Sequence, residues 1–163
     1  MTNQLSSNLI EGSQAFRAAV RNVLTNLPVE GSRQIWLIDQ HFHNWPLNEA
    51  PVLDALGAWL RTGGRRIGML GVDFDAVARE HPRLVRWRQD HGHGFDVWQP
   101  ASTERRELAG LLLTGHQAIE LLDREHWRAR AVHQASELRL LDEHVVSKLH
   151  HCEPGWPVTK LGL

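Results

Sequence analysis

The chain has one cysteine, Cys152, no tyrosine and, in 163 residues, only the lysines Lys148 and Lys160. A lone cysteine excludes an intrachain disulfide and points to a reducing, cytoplasmic setting. No apolar run approaches the ~20 residues a helix needs to cross a bilayer. The first residues, Met1 to Asn8, carry neither the basic stretch nor the apolar run of a secretory signal. Neither sign of charge is in excess: 18 basic and 19 acidic residues leave −1 with histidine neutral. That balance gives no footprint for general nucleic-acid binding, which favours a clearly basic domain. The local pairs Arg65-Arg66 and Arg105-Arg106 are offset by acidic residues.

Metal-binding spacings are missing too. The eleven histidines include His91/His93 and His150/His151, but no H-E-x-x-H or C-x-x-C occurs. No metal and no cofactor is therefore expected. Gly63-Gly64 and Gly92/Gly94 fit neither phosphate-loop pattern and read as helix ends. Cys152, beside His150 and His151, lacks a third orienting residue and reads as an ordinary cysteine near a helix end.

What is present is arginine in place of lysine, and seven tryptophans. Where arginine is the default cation, its presence alone does not mark a site. The tryptophans suit a core, its rim or a subunit interface. Hydrophobic periodicity predicts a helix over about 10–27, carried by Ile10, Phe16, Val20, Val23, Leu24 and Leu27 and ended by Pro28 and Gly31. Gln34 to Asp39 is a continuously apolar strand with polar ends. Asn48 is placed to cap a helix running to about Thr62, and Arg66 to Gly71 is a second strand. Asp73 to Gln89 is helical with an interruption at Pro82, and Phe95 to Trp98 is a third strand. Leu108 to Thr114 fits strand or helix. Ile119 to Leu122 and Trp127 to Val132 are paired strands, and Ala135 to His151 is a closing amphipathic helix. The order implies an α/β fold: a mixed sheet with a parallel part, flanked by helices, in one domain over 1–163. Its core spans about 33–151 and an irregular tail covers 152–163.

One segment carries a chemical signal: His116-Gln117-Ala118-Ile119-Glu120-Leu121-Leu122-Asp123. With histidine first and aspartate eighth, it resembles the H-x-K-x4-D signature of the phospholipase D superfamily, with Ala118 in the lysine's place. The resemblance covers roughly residues 33 to 151 as one half of a phospholipase D-like fold. It implies His116 as a nucleophile toward phosphorus, Asp123 as an orienter of histidine, and a cation at position 118 to meet charge on the phosphoryl oxygens. An alanine methyl supplies no cation, and losing one such group costs on the order of 100- to 1000-fold in rate. Arg124, Arg128 and Arg130 are the nearest substitutes in sequence. No Gly-Ser-x-Asn element follows Asp123, and the motif occurs once where the family uses two copies, so a complete site needs a homodimer. His41, just after the first strand, joins the candidate pocket, with Asp39 and His116 expected to converge on it.

These features favour a non-catalytic phospholipase D-like module for binding or assembly. The alternative is a homodimeric phosphodiesterase, nuclease or phospholipase-like, using His116. A nucleotide- or small-molecule-binding regulator on an unrelated α/β fold is the third reading. The ligand is not specified by the sequence.

Overall fold

Alternation builds the sheet. In the strand Gln34–Ile38, Ile35 and Leu37 point to one face while Trp36 and Ile38 point to the other. The same division runs through Arg66–Leu70, with Ile67 and Met69 against Gly68 and Leu70. Strands buried on both faces read as continuous apolar runs, which is why these two were legible. A computed structural model describes residues 8–101 and 107–158 of the chain.

In chain order the elements are β1 (Leu9–Glu11), α1 (Ser13–Thr25), the single turn α2 (Leu27–Glu30), β2 (Gln34–Ile38), α3 (Ala50–Leu60), β3 (Arg66–Leu70), α4 (Phe74–Glu80), α5 (Pro82–Asp90), β4 (Phe95–Pro100), β5 (Leu111–Leu113), β6 (Ala118–Asp123), β7 (Arg128–Val132), α6 (Ala135–Leu149) and β8 (Cys152–Pro154). One eight-stranded sheet has the order β1-β7-β6-β5-β2-β3-β4-β8. Strands β2, β3 and β4 are parallel, and every other pairing is antiparallel.

The expected mixed α/β sheet forms, with local departures. The segment predicted as one helix over 10–27 begins as an edge strand, because Leu9 to Glu11 pairs with Arg130 to Arg128 of β7. Gly12, at φ 97°, then turns the chain into α1. Pro28 starts the short α2 rather than ending α1, and Gly31 closes it at φ 82°. Asn48 does not cap α3. Glu49 holds that position without a side-chain cap, and Asn48 accepts from the Arg83 amide at the start of α5 instead. Leu108 to Thr114 resolves to the three-residue strand β5. The tail is less irregular than expected. Cys152 to Pro154 pairs with Trp98 to Pro100, and Trp156 stacks on Phe74 with the Arg88 guanidinium over its ring.

The two faces are covered unequally. Helices α1, α3, α4 and α5 cover the first and bury the larger core, including Trp45 and Trp59. Arg17 and Arg21 on α1 both reach Glu49 at the start of α3, and the Arg21 hydrogen bond above all holds the Glu49 carboxyl below its ordinary range. Helix α6 covers the second face and packs Val145 into a smaller cluster with Ile38, Leu70, Leu111, Leu113, Ala118 and Val132. There the Trp36 ring occupies the space beside Gly68; a Cβ at that glycine would stand 2.1 Å from it.

Candidate functional site

Strand direction separates the residues expected to meet. Strand β5 runs antiparallel to β2, and β6 antiparallel to β5. The β5–β6 turn carrying His116 therefore lies at the edge where the parallel strands begin. Asp39, His41 and the end of β6 at Asp123 lie at the edge where those strands finish. A six-residue strand at ~3.3 Å per residue spans roughly 20 Å. His116 thus does not converge with Asp39 and His41, and Asp123 does not reach it. Asp123 instead accepts from His126: its Oδ2 lies 2.9 Å from Nδ1, and its Oδ1 accepts from the His126 amide. The side-chain bond to His126 is the main cause holding the Asp123 carboxyl below its ordinary value.

Open sheets place ligands outside the carboxyl ends of parallel strands. The chain leaves β4 at that edge and re-enters beside β2 from the same edge; Arg105-Arg106 lies outside the described residues. Here Asp39 is fully buried and 2.6 Å from Arg124 Nη2. That nitrogen also donates to the Leu108 carbonyl at 2.9 Å. Arg124, the nearest substitute for the missing lysine, is therefore committed to a carboxylate. Asp39 Oδ2 also accepts from the Phe42 amide, and the Gln40 side chain accepts from the Leu108 amide.

The Asp39–Phe42 bond shapes the following loop. Phe42 and Asn44 adopt positive φ, 57° and 65°, an uncommon conformation for a bulky side chain. It places Phe42, Trp45 and Leu47 in the core. His41 and His43 are left at the surface: the His43 amide donates to His41 Nδ1, and His43 Nδ1 lies 2.7 Å from Glu80. No three His, Cys, Asp or Glu side chains converge on a metal-sized site among the described residues.

Beneath the loop His81 is buried, with Nε2 donating to the Phe42 carbonyl at 2.9 Å and Nδ1 unpartnered. Protonating Nδ1 would create a buried donor without an acceptor, and burial is the main cause pushing the imidazole below its ordinary value of 6.5. Above pH 6.5 folded and unfolded chains are both neutral at His81, so the site adds no slope. Below 6.5 the unfolded chain takes up a proton that the folded chain refuses, and stability falls until the folded imidazole itself titrates. His81→Gln keeps a donor and removes the titration. Its urea midpoint should fall less between pH 7 and pH 5 than the parent's; equal acid slopes would exclude this role.

The opposite edge is built differently. Glu30 ties the β5–β6 turn to the end of α2: its Oε1 accepts from Ser32 Oγ at 2.5 Å and Thr114 Oγ1 at 2.6 Å, and its Oε2 from Gln117 Nε2 at 3.1 Å. Thr114 Oγ1 accepts from the His116 and Gln117 amides. The fixed turn forms one wall of a cleft of about 550 Å³, lined by Arg33, Trp36, His116, His133, Arg139 and Asp142 among others. Arg33, His133 and Arg139 were not singled out from sequence. For Arg139 the available signal was helical spacing, since Ala135, Leu138, Arg139 and Asp142 lie on one face of α6. Cys152 is not activated: its Sγ donates to the Lys148 carbonyl, and burial pushes the thiol up.

In the chain a βαβαβ run is followed by antiparallel strands and a closing helix. No protein-family model and no curated protein sequence matches the chain. Solved structures do. TrmBL2, an archaeal chromatin protein described as showing a novel mode of DNA binding, matches with TM-score 0.64 and 10% identity over 90% of this chain and 52% of that one. NucT from Helicobacter pylori matches with TM-score 0.59 and 7% identity over 90% of this chain and 97% of that one. The fold is phospholipase D-like. Phosphatidylserine synthase from Haemophilus influenzae Rd KW20 matches with TM-score 0.53 and 10% identity over 82% of this chain and 36% of that one. The chain thus spans about half the length of TrmBL2 and about a third of the synthase, and nearly all of NucT. Within this phospholipase D-like frame, no helix among the described residues is long and apolar enough to cross a membrane.

Proposed function

We propose that this phospholipase D-like chain is a non-catalytic module that serves in binding or assembly. One observation carries the reading: Arg124, a cation at the finishing edge of the parallel strands, is held 2.6 Å from the buried Asp39 carboxylate. A guanidinium so neutralised offers little to charge building on a phosphoryl group, and that stabilisation is usually the largest catalytic contribution. His116 stands at the other edge, and position 118 beside it is filled by a buried methyl.

The competing reading is a homodimer that hydrolyses phosphodiesters with His116 as nucleophile. The test is direct. The purified chain, its oligomeric state recorded by light scattering, is incubated with bis(p-nitrophenyl) phosphate, with single-stranded DNA and with phosphatidylcholine vesicles, beside His116→Ala. The expected result is no turnover above buffer in either protein. Turnover that His116→Ala abolishes would overturn the proposal and establish the phosphodiesterase.

A further inference from the structure

We infer that the cleft between α6 and the starting edge of the parallel strands binds a small phosphomonoester with a hydroxylated, partly apolar body. The inference rests on the binding reading above and names its ligand class. Four side chains able to carry positive charge, Arg33, His116, His133 and Arg139, line this one cleft. Among the described residues none of the four has a side-chain hydrogen bond or ion pair. They stay available to a ligand, whereas Arg17, Arg21, Arg66, Arg124 and Arg130 are all paired with carboxylates. Free surface arginines are ordinarily solvated separately, but here they come from different elements and share one concavity. Its volume of about 550 Å³ lies within the ~300–1,000 Å³ usual for small-molecule sites.

Topology orders the groups. Strand β7 ends at the same edge as the His116 turn, so α6 starts there and runs inward over the sheet. Arg33, His116 and His133 stand at the edge. Arg139 lies one turn into the helix and Asp142 about two, roughly 10 Å from Ala135 at 1.5 Å per residue. Gln134 makes no side-chain cap, leaving first-turn amides open beside Ala135, which lines the cleft. A phosphoryl group suits the cationic mouth, where guanidinium donors match its oxygens. Deeper in, Trp36 and Leu138 offer an apolar wall and Asp142 an unpaired acceptor. Asp142 repels a second anionic group and accepts from a hydroxyl. The combination favours one phosphate on a hydroxylated body over a polyanion.

Calorimetry on the whole chain at low salt tests this with adenosine 5′-monophosphate, inorganic phosphate and adenosine as probes. The monophosphate is expected to bind more tightly than phosphate, and adenosine least. Arg33→Ala and Arg139→Ala should each weaken it roughly tenfold or more, as loss of a charge-assisted bond implies, without moving the melting temperature. Arg128→Ala, outside the cleft, should leave binding unchanged. No binding of the monophosphate below ~1 mM, a Kd too weak for a specific site, overturns the inference. So does binding that both cleft variants retain, or binding of an oligonucleotide where the monophosphate fails. The outcomes separate from those above: diester hydrolysis lost in His116→Ala sinks the non-catalytic reading, whereas failure of monoester binding sinks this one and leaves assembly standing.

Discussion

Ala118→Lys will destabilise the protein and will not create a phosphodiesterase. The superfamily signature would place an ammonium at this position, so restoring lysine is the natural repair. The side chain of Ala118, however, is 1% exposed and packs with Leu113, Val132 and Val145 under α6. Overpacking such a site costs about 1–3 kcal/mol, and drawing an ammonium out of water costs several kcal/mol more, with partial relief if the stem reaches the nearby edge. A net loss of about 2–5 kcal/mol is a large part of the ~5–15 kcal/mol typical of a domain. Ala118→Met separates the two effects, since it adds volume without charge. The urea midpoint should fall for methionine and fall further for lysine. A lysine variant with the parent's midpoint, or with new turnover on bis(p-nitrophenyl) phosphate, would show that position 118 faces a site after all.

The same residue shows what a sequence does and does not disclose. Ala118 looks like a damaged catalytic position when read as the third letter of a motif. Read as the first residue of β6, opposite Leu113 and Val132, it is a core position whose small side chain fits beneath a helix. Continuous apolar runs made β2 and β3 legible, because Ile35, Leu37, Ile67 and Met69 reach one core while their neighbours are buried against the other face. Linear spacing could not reveal which edge of the sheet each site residue would occupy. That depended on β5 reversing beside β2, and β5 is only three residues long and fits either period. Hence Asp39, read as the end of the first strand, and His41, read just after it, lie at one edge, while His116, expected to converge with them, sits a strand's length away. The edge strands β1 and β8 were missed for a related reason: three residues give too short a pattern, and their pairing partners are remote in sequence. The Asp39–Arg124 pair joins residues 85 positions apart. Arg124 was visible as a cation near the motif, but its partner was not.

Arg124→Ala should be the most damaging single change at the finishing edge, and the damage should be asymmetric within the pair. Removing Arg124 leaves the Asp39 carboxylate fully buried, with the Phe42 amide as its remaining donor among the described residues. Breaking a buried pair from that side costs about 3–5 kcal/mol. The Asp39→Asn variant still has an oxygen for the Phe42 amide. Arg124, with 24% of its side chain exposed, can turn toward water and keep its bond to the Leu108 carbonyl, so that change should cost nearer 1–2 kcal/mol. The double variant Asp39→Asn/Arg124→Ala should fall short of the sum, because the isolated charge that makes the first change costly is gone. Equal single costs, or strict additivity in urea denaturation, would mean that the pair is solvated. The functional consequence follows from the same bonds. Asp39 fixes the Phe42 amide, Phe42 holds its left-handed conformation, and its carbonyl holds His81. Loosening Arg124 should therefore raise hydrogen exchange along Gln40 to Leu47, while the Glu30-anchored turn at the opposite edge, and any ligand affinity of the cleft beside it, stays unchanged.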